Sequence, residues 1–300
     1  MPFKFLFLFV IIAIIGSCES QESAQKSSSN HSKPTTPQYK WHEATEPTGN
    51  QTRVYGGYTA GCIDGAVKLP EKGVGYIAAN YNNNRLYGHP KLIKLIEETS
   101  ITMKEKYGKT ILIGDLGQAR GGPAPLKTSA HRSHQNGLDV DIWYRNINKD
   151  NITEEDVYPQ TVLSFFKNKL SNKHWNESHV ELLKYVAQQN DVERILLNPH
   201  VKKAMCSQYS NEKWIHKLRP WWGHHKHFHV RLKCPKNDIT CKKQDPVPNE
   251  DSCGEPLNWW FSKEAEDMGK NKKATKRRYP DLPQQCEQVW NFSQKHLSYK

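Results

Sequence analysis

The chain has 300 residues, of which 36% are hydrophobic, which is enough for one large domain or two small ones with a packed core. Its mean hydropathy of −0.82 argues against a membrane-embedded body. The net charge of +12, from 43 Lys and Arg residues against 31 Asp and Glu residues, suits nucleic acid, acidic lipid or an anionic cell-wall polymer. Charge alone does not choose among these partners, but the sequence has no zinc-finger or RNP-like motif that would favour nucleic acid.

The first 17 residues have the pattern of a secretory signal peptide. One lysine precedes an apolar run from Phe5 to Ile15, which is too short to span a bilayer comfortably. The run is followed by Gly16, Ser17 and Cys18, and this ending resembles the lipobox of bacterial lipoproteins, in which the cysteine carries lipid after cleavage. The alternative is an ordinary signal cleavage a few residues later. Both interpretations predict an exported protein, and the lipoprotein interpretation adds a membrane anchor on Cys18.

A flexible tether is predicted for residues 18–52, because the stretch from Glu19 to about Lys40 is rich in Ser, Gln, Lys and Thr. The folded domain is expected over residues 53–290, followed by a tail of residues 291–300. In chain order, the apolar spacing predicts a helix from Pro90, strands at 110–113 and 137–144, a helix at 179–189, a buried strand at 192–197, a helical segment at 211–218 and a strand at 225–233. Beyond Cys234 the chain is expected to be rich in loops.

Two of these strands alternate in a way that concentrates metal-binding side chains. Asp139 and Asp141 share one face of the first strand, and His227 and His229 share one face of the second. If the strands are neighbours, imidazoles and carboxylates form one cluster, and Gly137 permits a turn that brings His134 toward Asp141. Zinc takes imidazole nitrogen and carboxylate oxygen, and its catalytic sites keep three protein ligands.

Each half of this pattern is a weak signal by itself. A single histidine on a strand is usually structural or solvated, and an HxH pair on an amphipathic strand is seldom a metal site. The joint presence of the two patterns on strands of an exported chain is what favours a metal site. An HExxH motif is absent from the sequence, which excludes a helix-borne zincin site.

The motifs SHQNGLDVDIW and HKHFHVRLKCP together resemble the penicillin-insensitive murein endopeptidases, within the lysostaphin, D-Ala-D-Ala and hedgehog-type metallopeptidases. The segments GCIDGAVKLP, RLYGHPKL, ILIGDLG, LNPHVKKAMC and RPWW share the resemblance, which extends over roughly residues 55–290. It implies an α+β fold, with a small antiparallel sheet that carries the zinc ligands and is surrounded by helices and long disulfide-tied loops. It also implies cleavage of the D-alanyl to meso-diaminopimelyl cross-link of peptidoglycan in the periplasm, without a serine nucleophile.

The resemblance assigns roles to particular residues. His134, Asp141 and His229 would bind Zn²⁺, His227 would be the general base, and His224 would be a further catalytic residue that stabilises the oxyanion.

A second metal site of the family would involve His131 and His179 here. At this site the family has Asp-x-x-His, whereas this chain has Asn176 three residues before His179. Asparagine is a poorer zinc ligand than a carboxylate, so we expect this site to be weak or unfilled.

Seven cysteines are present, and setting Cys18 apart leaves six, an even number that indicates disulfides in an exported chain. Spacing alone leaves about 15 pairings open. Cys234 and Cys241 are close enough in sequence to close a short loop after the histidine-rich strand. The family pattern implies the pairs Cys62–Cys286, Cys206–Cys253 and Cys234–Cys241.

Three other functions compete with a zinc endopeptidase. The first is a zinc D,D-carboxypeptidase of peptidoglycan, which would need a pocket for a free carboxylate. The second is a peptidoglycan-binding protein of the same fold without catalysis, against which the complete set of ligands and base argues. The third is a nucleic-acid binder, which rests on charge alone. The expected partner is therefore peptidoglycan rather than nucleic acid, with membrane contact only through lipid on Cys18, and the sequence predicts no oligomeric state.

Overall fold

A seven-stranded mixed sheet forms the centre of the fold. The structure is a computed structural model that describes residues 40–79, 84–125, 132–248, 252–270 and 279–297. All of these residues belong to one compact unit, Thr35–Lys300. The predicted signal peptide, Cys18 and the predicted tether up to residue 39 lie outside the described residues.

The strands in chain order are β1 (Arg53–Gly57), β2 (Ala60–Asp64), β3 (Val67–Lys68), β4 (Lys72–Gly73), β5 (Tyr76–Ala78), β6 (Tyr87–Gly88), β7 (Thr110–Ile113), β8 (Asp139–Ile147), β9 (Val192–Leu197), β10 (Leu218–Pro220) and β11 (His227–Leu232). The large sheet has the spatial order β10-β9-β11-β8-β7-β5-β4, and the pairs β1–β2 and β3–β6 form separate two-stranded ribbons. Within the large sheet, β9–β10 and β5–β7 are parallel and the other pairs are antiparallel.

The helices are α1 (Pro90–Tyr107), α2 (Glu177–Gln188), α3 (Pro199–Tyr209), α4 (Glu255–Asn258), α5 (Lys263–Lys270) and α6 (Gln285–Leu297). Short 3-10 helices occupy Trp41–Glu43, Glu154–Asp156, Lys213–Lys217 and Trp259–Phe261. The predicted α+β class is confirmed, although the sheet is larger than expected and contains parallel pairs. In the part of the chain that the structure describes, no helix combines the length and apolarity needed to cross a bilayer.

The central strands β8 and β11 are antiparallel neighbours, as the site hypothesis required. Val140 lies opposite Val230 and Ile142 lies opposite Phe228, and all four side chains are buried in the main core. Because side chains alternate along a strand, this apolar set fixes which face the intervening polar residues occupy. Burial of the apolar face therefore determines where the site forms.

Helix α1 shows how local sequence sets the ends of an element. The His89 side chain accepts a hydrogen bond from the Lys91 backbone nitrogen at 3.1 Å, and Pro90 occupies the first turn. Gly108 ends the helix with φ of 64°, a left-handed conformation that glycine adopts without steric cost. The buried face is the one that the apolar spacing predicted, and it includes Leu92, Ile93, Leu95 and Ile96.

Three segments differ from the expectations. Within residues 40–52, which we assigned to the tether, Trp41 is fully buried against Cys62, Cys286 and Trp290, so packed structure extends upstream of residue 53. One large aromatic side chain is enough to hold an otherwise polar segment. The helical segment predicted at 211–218 is a shorter 3-10 helix over residues 213–217, and helices α4, α5 and α6 lie where loops were expected.

Among the described residues there are three disulfides, Cys62–Cys286, Cys206–Cys253 and Cys234–Cys241, which are the pairs that the resemblance implies. The first joins strand β2 to helix α6 across a sequence separation of 224 residues. The second joins α3 to the segment that leads into α4, and the third closes a short loop directly after β11. The C-terminal helices are thus attached covalently to the sheet-bearing part of the domain.

Candidate metal centre

The register of β8 and β11 brings two pairs of polar side chains together. His229 lies opposite Asp141, and Arg231 lies opposite Asp139. Directly opposed residues of antiparallel strands have Cβ atoms only about 5 Å apart, so their side chains interact. The two predicted halves of the site are therefore neighbours in the sheet.

His134 reaches this pair from the loop before β8. The loop contains two left-handed residues, His134 with φ of 67° and Gly137 with φ of 75°. The Asp139 carboxylate accepts a hydrogen bond from the His134 backbone nitrogen at 3.0 Å, which holds the loop against the strand. As a result, His134 Nε2 lies 3.5 Å from Asp141 Oδ1, as the turn at Gly137 led us to expect.

His134, Asp141 and His229 form a buried group that could hold a metal ion. Each offers one ligand atom, and these atoms all lie within 4.8 Å of one another. The His134 and His229 rings meet edge to face with centroids 4.6 Å apart. Two imidazoles and one carboxylate are a donor set that suits zinc and leaves a fourth position open.

The His229 ring is oriented by contacts on both of its nitrogens. Its Nδ1 lies 3.0 Å from Asp141 Oδ1, whereas its Nε2 lies 3.1 Å from Asp139 Oδ1. Nδ1 is therefore the nitrogen that faces the candidate ligand Asp141. The Nε2 contact fits a proton donated to the Asp139 carboxylate, an arrangement that fixes the tautomer of a metal-binding histidine.

Asp139 is itself held by Arg231. The Arg231 Nε atom lies 2.7 Å from Asp139 Oδ1, and its Nη2 lies 3.2 Å from Oδ2, so the guanidinium contacts both oxygens. Arg231 also donates to Gln244 and lies with its guanidinium carbon 4.1 Å from the centre of the Tyr58 ring. The sequence analysis placed Asp139 in the cluster without a role of its own and gave Arg231 none, although the alternation of Arg231 with His229 was the available signal.

Electrostatics keep the carboxylates of the cluster ionised. Burial alone would raise the pKa of Asp139, but the Arg231 charge and the contact with His229 outweigh it and hold that pKa below its usual value. Burial likewise opposes ionisation of Asp141, yet its contacts with His134 and His227 bring its pKa well below the ordinary range. An ionised, buried carboxylate is the form that a metal ion requires.

The histidines of the cluster differ in their protonation. Burial would lower the pKa of His229, but Asp139 and Asp141 outweigh it and raise that pKa to about 9. Burial dominates at His134 and His227 and lowers the pKa of each. The imidazoles of His134 and His227 are therefore held in the neutral form, which can bind a metal or accept a proton.

His227 and His224 lie beside the group of candidate ligands. His227 Nε2 is 3.7 Å from Asp141 Oδ2, and the His224 ring centroid is 5.0 Å from that of His227. His224 has φ of 47°, and its Nδ1 lies 3.1 Å from the Trp222 carbonyl oxygen. Because a carbonyl only accepts, His224 Nδ1 carries the proton, and burial lowers the pKa of His224 to about 4.

His179 is not part of the group of candidate metal ligands. It lies at the start of α2, where it forms a capping box with Asn176, and its Nδ1 is 2.9 Å from Asn176 Oδ1. The Trp175 ring stacks on it at 5.3 Å, and burial lowers the pKa of His179 to about 4. His131 lies outside the described residues, so the second metal site stays a prediction.

A family model and the relatives found by comparison with known proteins carry the same description. The sequence model described as penicillin-insensitive murein endopeptidase matches residues 54–291. A protein of that name from Haemophilus influenzae is 39% identical over 240 residues, covering 79% of this chain and 82% of the relative. Relatives of the same name from Yersinia pestis and Klebsiella pneumoniae are 34% and 35% identical, and the alignments cover 88% and 89% of their lengths. The chain therefore belongs to the penicillin-insensitive murein endopeptidase family.

Proposed function

We propose that this chain is a zinc-dependent endopeptidase that hydrolyses the D-alanyl to meso-diaminopimelyl cross-links of peptidoglycan and is insensitive to penicillin. The observation that carries the proposal is the buried group of His134, Asp141 and His229, whose ligand atoms lie within 4.8 Å of one another, in a chain of a murein endopeptidase family. Because murein lies outside the cytoplasmic membrane, the proposal agrees with the predicted export to the periplasm.

Zinc is the metal that the donor set favours. His134 would bind through Nε2, His229 through Nδ1, and Asp141 through its carboxylate, and a site with three protein ligands would leave room for substrate or water. When bound, zinc polarises a carbonyl and makes water acidic enough to react near neutral pH. Asp139 and Arg231 complete the chain's contribution, because they orient the His229 ring.

His227 is the general base in this proposal. Burial lowers its pKa, so it is neutral near pH 7, and its side chain is 21% exposed, which leaves it accessible to a proton. It lies next to Asp141, on the strand that also carries His229. A neutral imidazole at the edge of the cluster can accept a proton from the attacking water and return it to the leaving amine.

His224 is proposed to act on the oxyanion, and its tautomer sets a condition for that role. With its proton on Nδ1 toward the Trp222 carbonyl, neutral His224 presents a lone pair at Nε2. In that tautomer it cannot donate a hydrogen bond to an oxyanion from Nε2. The proposed role therefore requires the other neutral tautomer, with the proton on Nε2, which the ring adopts by giving up the Nδ1 contact with the Trp222 carbonyl.

The test is the digestion of purified cross-linked muropeptide dimers, followed by mass spectrometry of the products. We expect dimers to give monomers, with no effect of penicillin, and complete loss of activity on exhaustive chelation that Zn²⁺ restores. His229→Ala serves as the inactive control. Release of free D-Ala without cleavage of the dimers would indicate the carboxypeptidase instead, and undiminished activity after metal removal would refute the zinc mechanism.

A further inference from the structure

Four tryptophans meet on one surface of the domain and form what we call the aromatic cluster: Trp221, Trp222, Trp259 and Trp260. The first two follow β10, and the other two lie in the 3-10 helix after α4. Ring centroids are separated by 4.6 Å for Trp222–Trp260, 5.2 Å for Trp259–Trp260 and 5.6 Å for Trp221–Trp222. Two distant segments of the chain thus build one continuous set of aromatic rings.

Contacts to helix α5 and a disulfide hold these rings in place. Trp222 Nε1 donates to the Ala265 carbonyl at 3.0 Å, and Trp259 Nε1 donates to Glu264 at 3.1 Å. The disulfide Cys206–Cys253 fixes the segment that leads into α4. The aromatic cluster is therefore formed before any ligand arrives, which lowers the entropic cost of binding.

The aromatic cluster is only partly covered by the protein. Among the described residues, none of its four tryptophans belongs to a buried core cluster. Trp221 exposes 43% of its surface, and the adjacent Phe261 exposes 40%. An exposed, contiguous aromatic patch of this kind is typical of a binding surface rather than of a core.

The aromatic cluster is connected through the backbone to His224, which lies beside the candidate metal centre. Trp222 is two residues from His224, and its carbonyl oxygen lies 3.1 Å from His224 Nδ1. The Asn198 side chain holds the turn between them by donating to the Gly223 carbonyl at 2.8 Å. The segment that carries Trp221 and Trp222 therefore leads directly into a residue beside the candidate metal centre.

We propose that the aromatic cluster is a saccharide subsite that binds a pyranose ring of the glycan strand carrying the cross-link. This inference rests on the proposed function, because murein consists of glycan strands joined by short peptides. The C–H groups on one face of a pyranose are slightly positive and stack on the electron-rich face of an indole. Lys203, whose Nζ lies 5.1 Å from the Phe261 ring centroid, adds a positive charge at the rim that suits the carboxylates of the attached peptide.

The test compares two substrates with the same cross-link, a sugar-free peptide dimer and a dimer with a disaccharide on each stem. The wild-type protein should cleave the disaccharide dimer with the higher kcat/KM. Trp221→Ala should lower kcat/KM for that dimer about tenfold and change the sugar-free dimer less than twofold, whereas Trp221→Phe should retain most of the activity. Ile239→Ala is the matched control, because Ile239 is exposed and lies in the loop closed by Cys234–Cys241.

If Trp221→Ala lost equal kcat/KM on both dimers, the aromatic cluster would bind the peptide rather than the sugar. If it lost none on either dimer, the aromatic cluster would contribute no contact that cleavage needs. Each result would overturn the proposal. If the wild-type protein cleaved neither dimer, the proposed function would fail. In that case a titration of tryptophan fluorescence with chitotetraose decides the inference alone. We expect saturable quenching that Trp221→Ala abolishes and Ile239→Ala retains, and absence of quenching in the wild-type protein would contradict a saccharide subsite.

Discussion

Asp139 Oδ1 lies 3.1 Å from His229 Nε2, on the side of the ring opposite the other candidate ligands. The same carboxylate receives both Nε and Nη2 of Arg231 and the backbone N–H of His134. One buried side chain thus orients two of the three candidate ligands without belonging to the group itself. This makes Asp139 a positioning residue, and the arrangement is that of a carboxylate that supports a metal-bound histidine.

We expect Asp139→Asn to lower the zinc affinity about 10- to 100-fold, the range typical of such supporting residues. The amide keeps the shape of the side chain, but it loses the charge that fixes the His229 proton and balances Arg231. Competition with a chromophoric chelator measures the affinity directly. Asp156→Asn is the control, because Asp156 also forms ion pairs, with Lys149 and Arg145, but among the surface segments around residue 156. Equal affinity of Asp139→Asn and the wild-type protein would remove the positioning role.

The two histidines of the HxH pair should respond differently to substitution. His227→Ala should keep about one zinc per chain and lose activity about 10²- to 10⁴-fold, as for removal of a general base. His229→Ala should lose both metal and activity, because its Nδ1 contacts Asp141 and its ring packs against the His134 ring. Metal content of the two variants, measured after dialysis, checks this. Comparable zinc loss in both would mean that His227, whose Nε2 is 3.7 Å from Asp141, is itself a ligand.

The alternation of apolar residues in β8 and β11 predicted which face of each strand carries the aspartates and histidines, because burial of Val140 and Val230 leaves one face for them. The roles of the individual residues were implied by the family resemblance. The ion pair of Asp139 with Arg231 could not be predicted, since it depends on the register of two strands that are 92 residues apart at this contact. The aromatic cluster likewise depends on tertiary packing, which brings Trp259 and Trp260 to Trp222. Burial of Trp41 escaped prediction because its partners, Cys62 and Trp290, are distant in sequence.

Gly137 should be intolerant of a side chain, because it has φ of 75° and an added Cβ would lie 2.5 Å from Ile63 Cδ1. We expect Gly137→Ala to lower the free energy of unfolding by about 2 to 4 kcal/mol, from left-handed strain together with the clash. Urea denaturation measures this. Gly223→Ala isolates the strain, because Gly223 also has φ of 75° but nothing within 4 Å, and it should cost about 1 kcal/mol. Gly49→Ala, in open space, should cost little. If Gly137→Ala and Gly223→Ala lowered the free energy of unfolding equally, the added Cβ at residue 137 would be accommodated by movement of the loop before β8, and the clash would contribute nothing.

The disulfides should contribute unequally to stability, because the entropy removed from the unfolded chain grows with loop length. Cys62 and Cys286 are separated by 224 residues, whereas Cys234 and Cys241 are separated by 7. The chain-entropy relation gives about 5 kcal/mol for the long loop and about 2.5 kcal/mol for the short one. The double variant Cys62→Ser/Cys286→Ser should therefore unfold at lower denaturant than Cys234→Ser/Cys241→Ser.

Non-reducing peptide mapping of protein purified from membranes should show three pairs, with lipid on Cys18. A free thiol among the six, or Cys18 in a disulfide, would contradict this division, and a mature N-terminus beyond Cys18 would remove only the anchor.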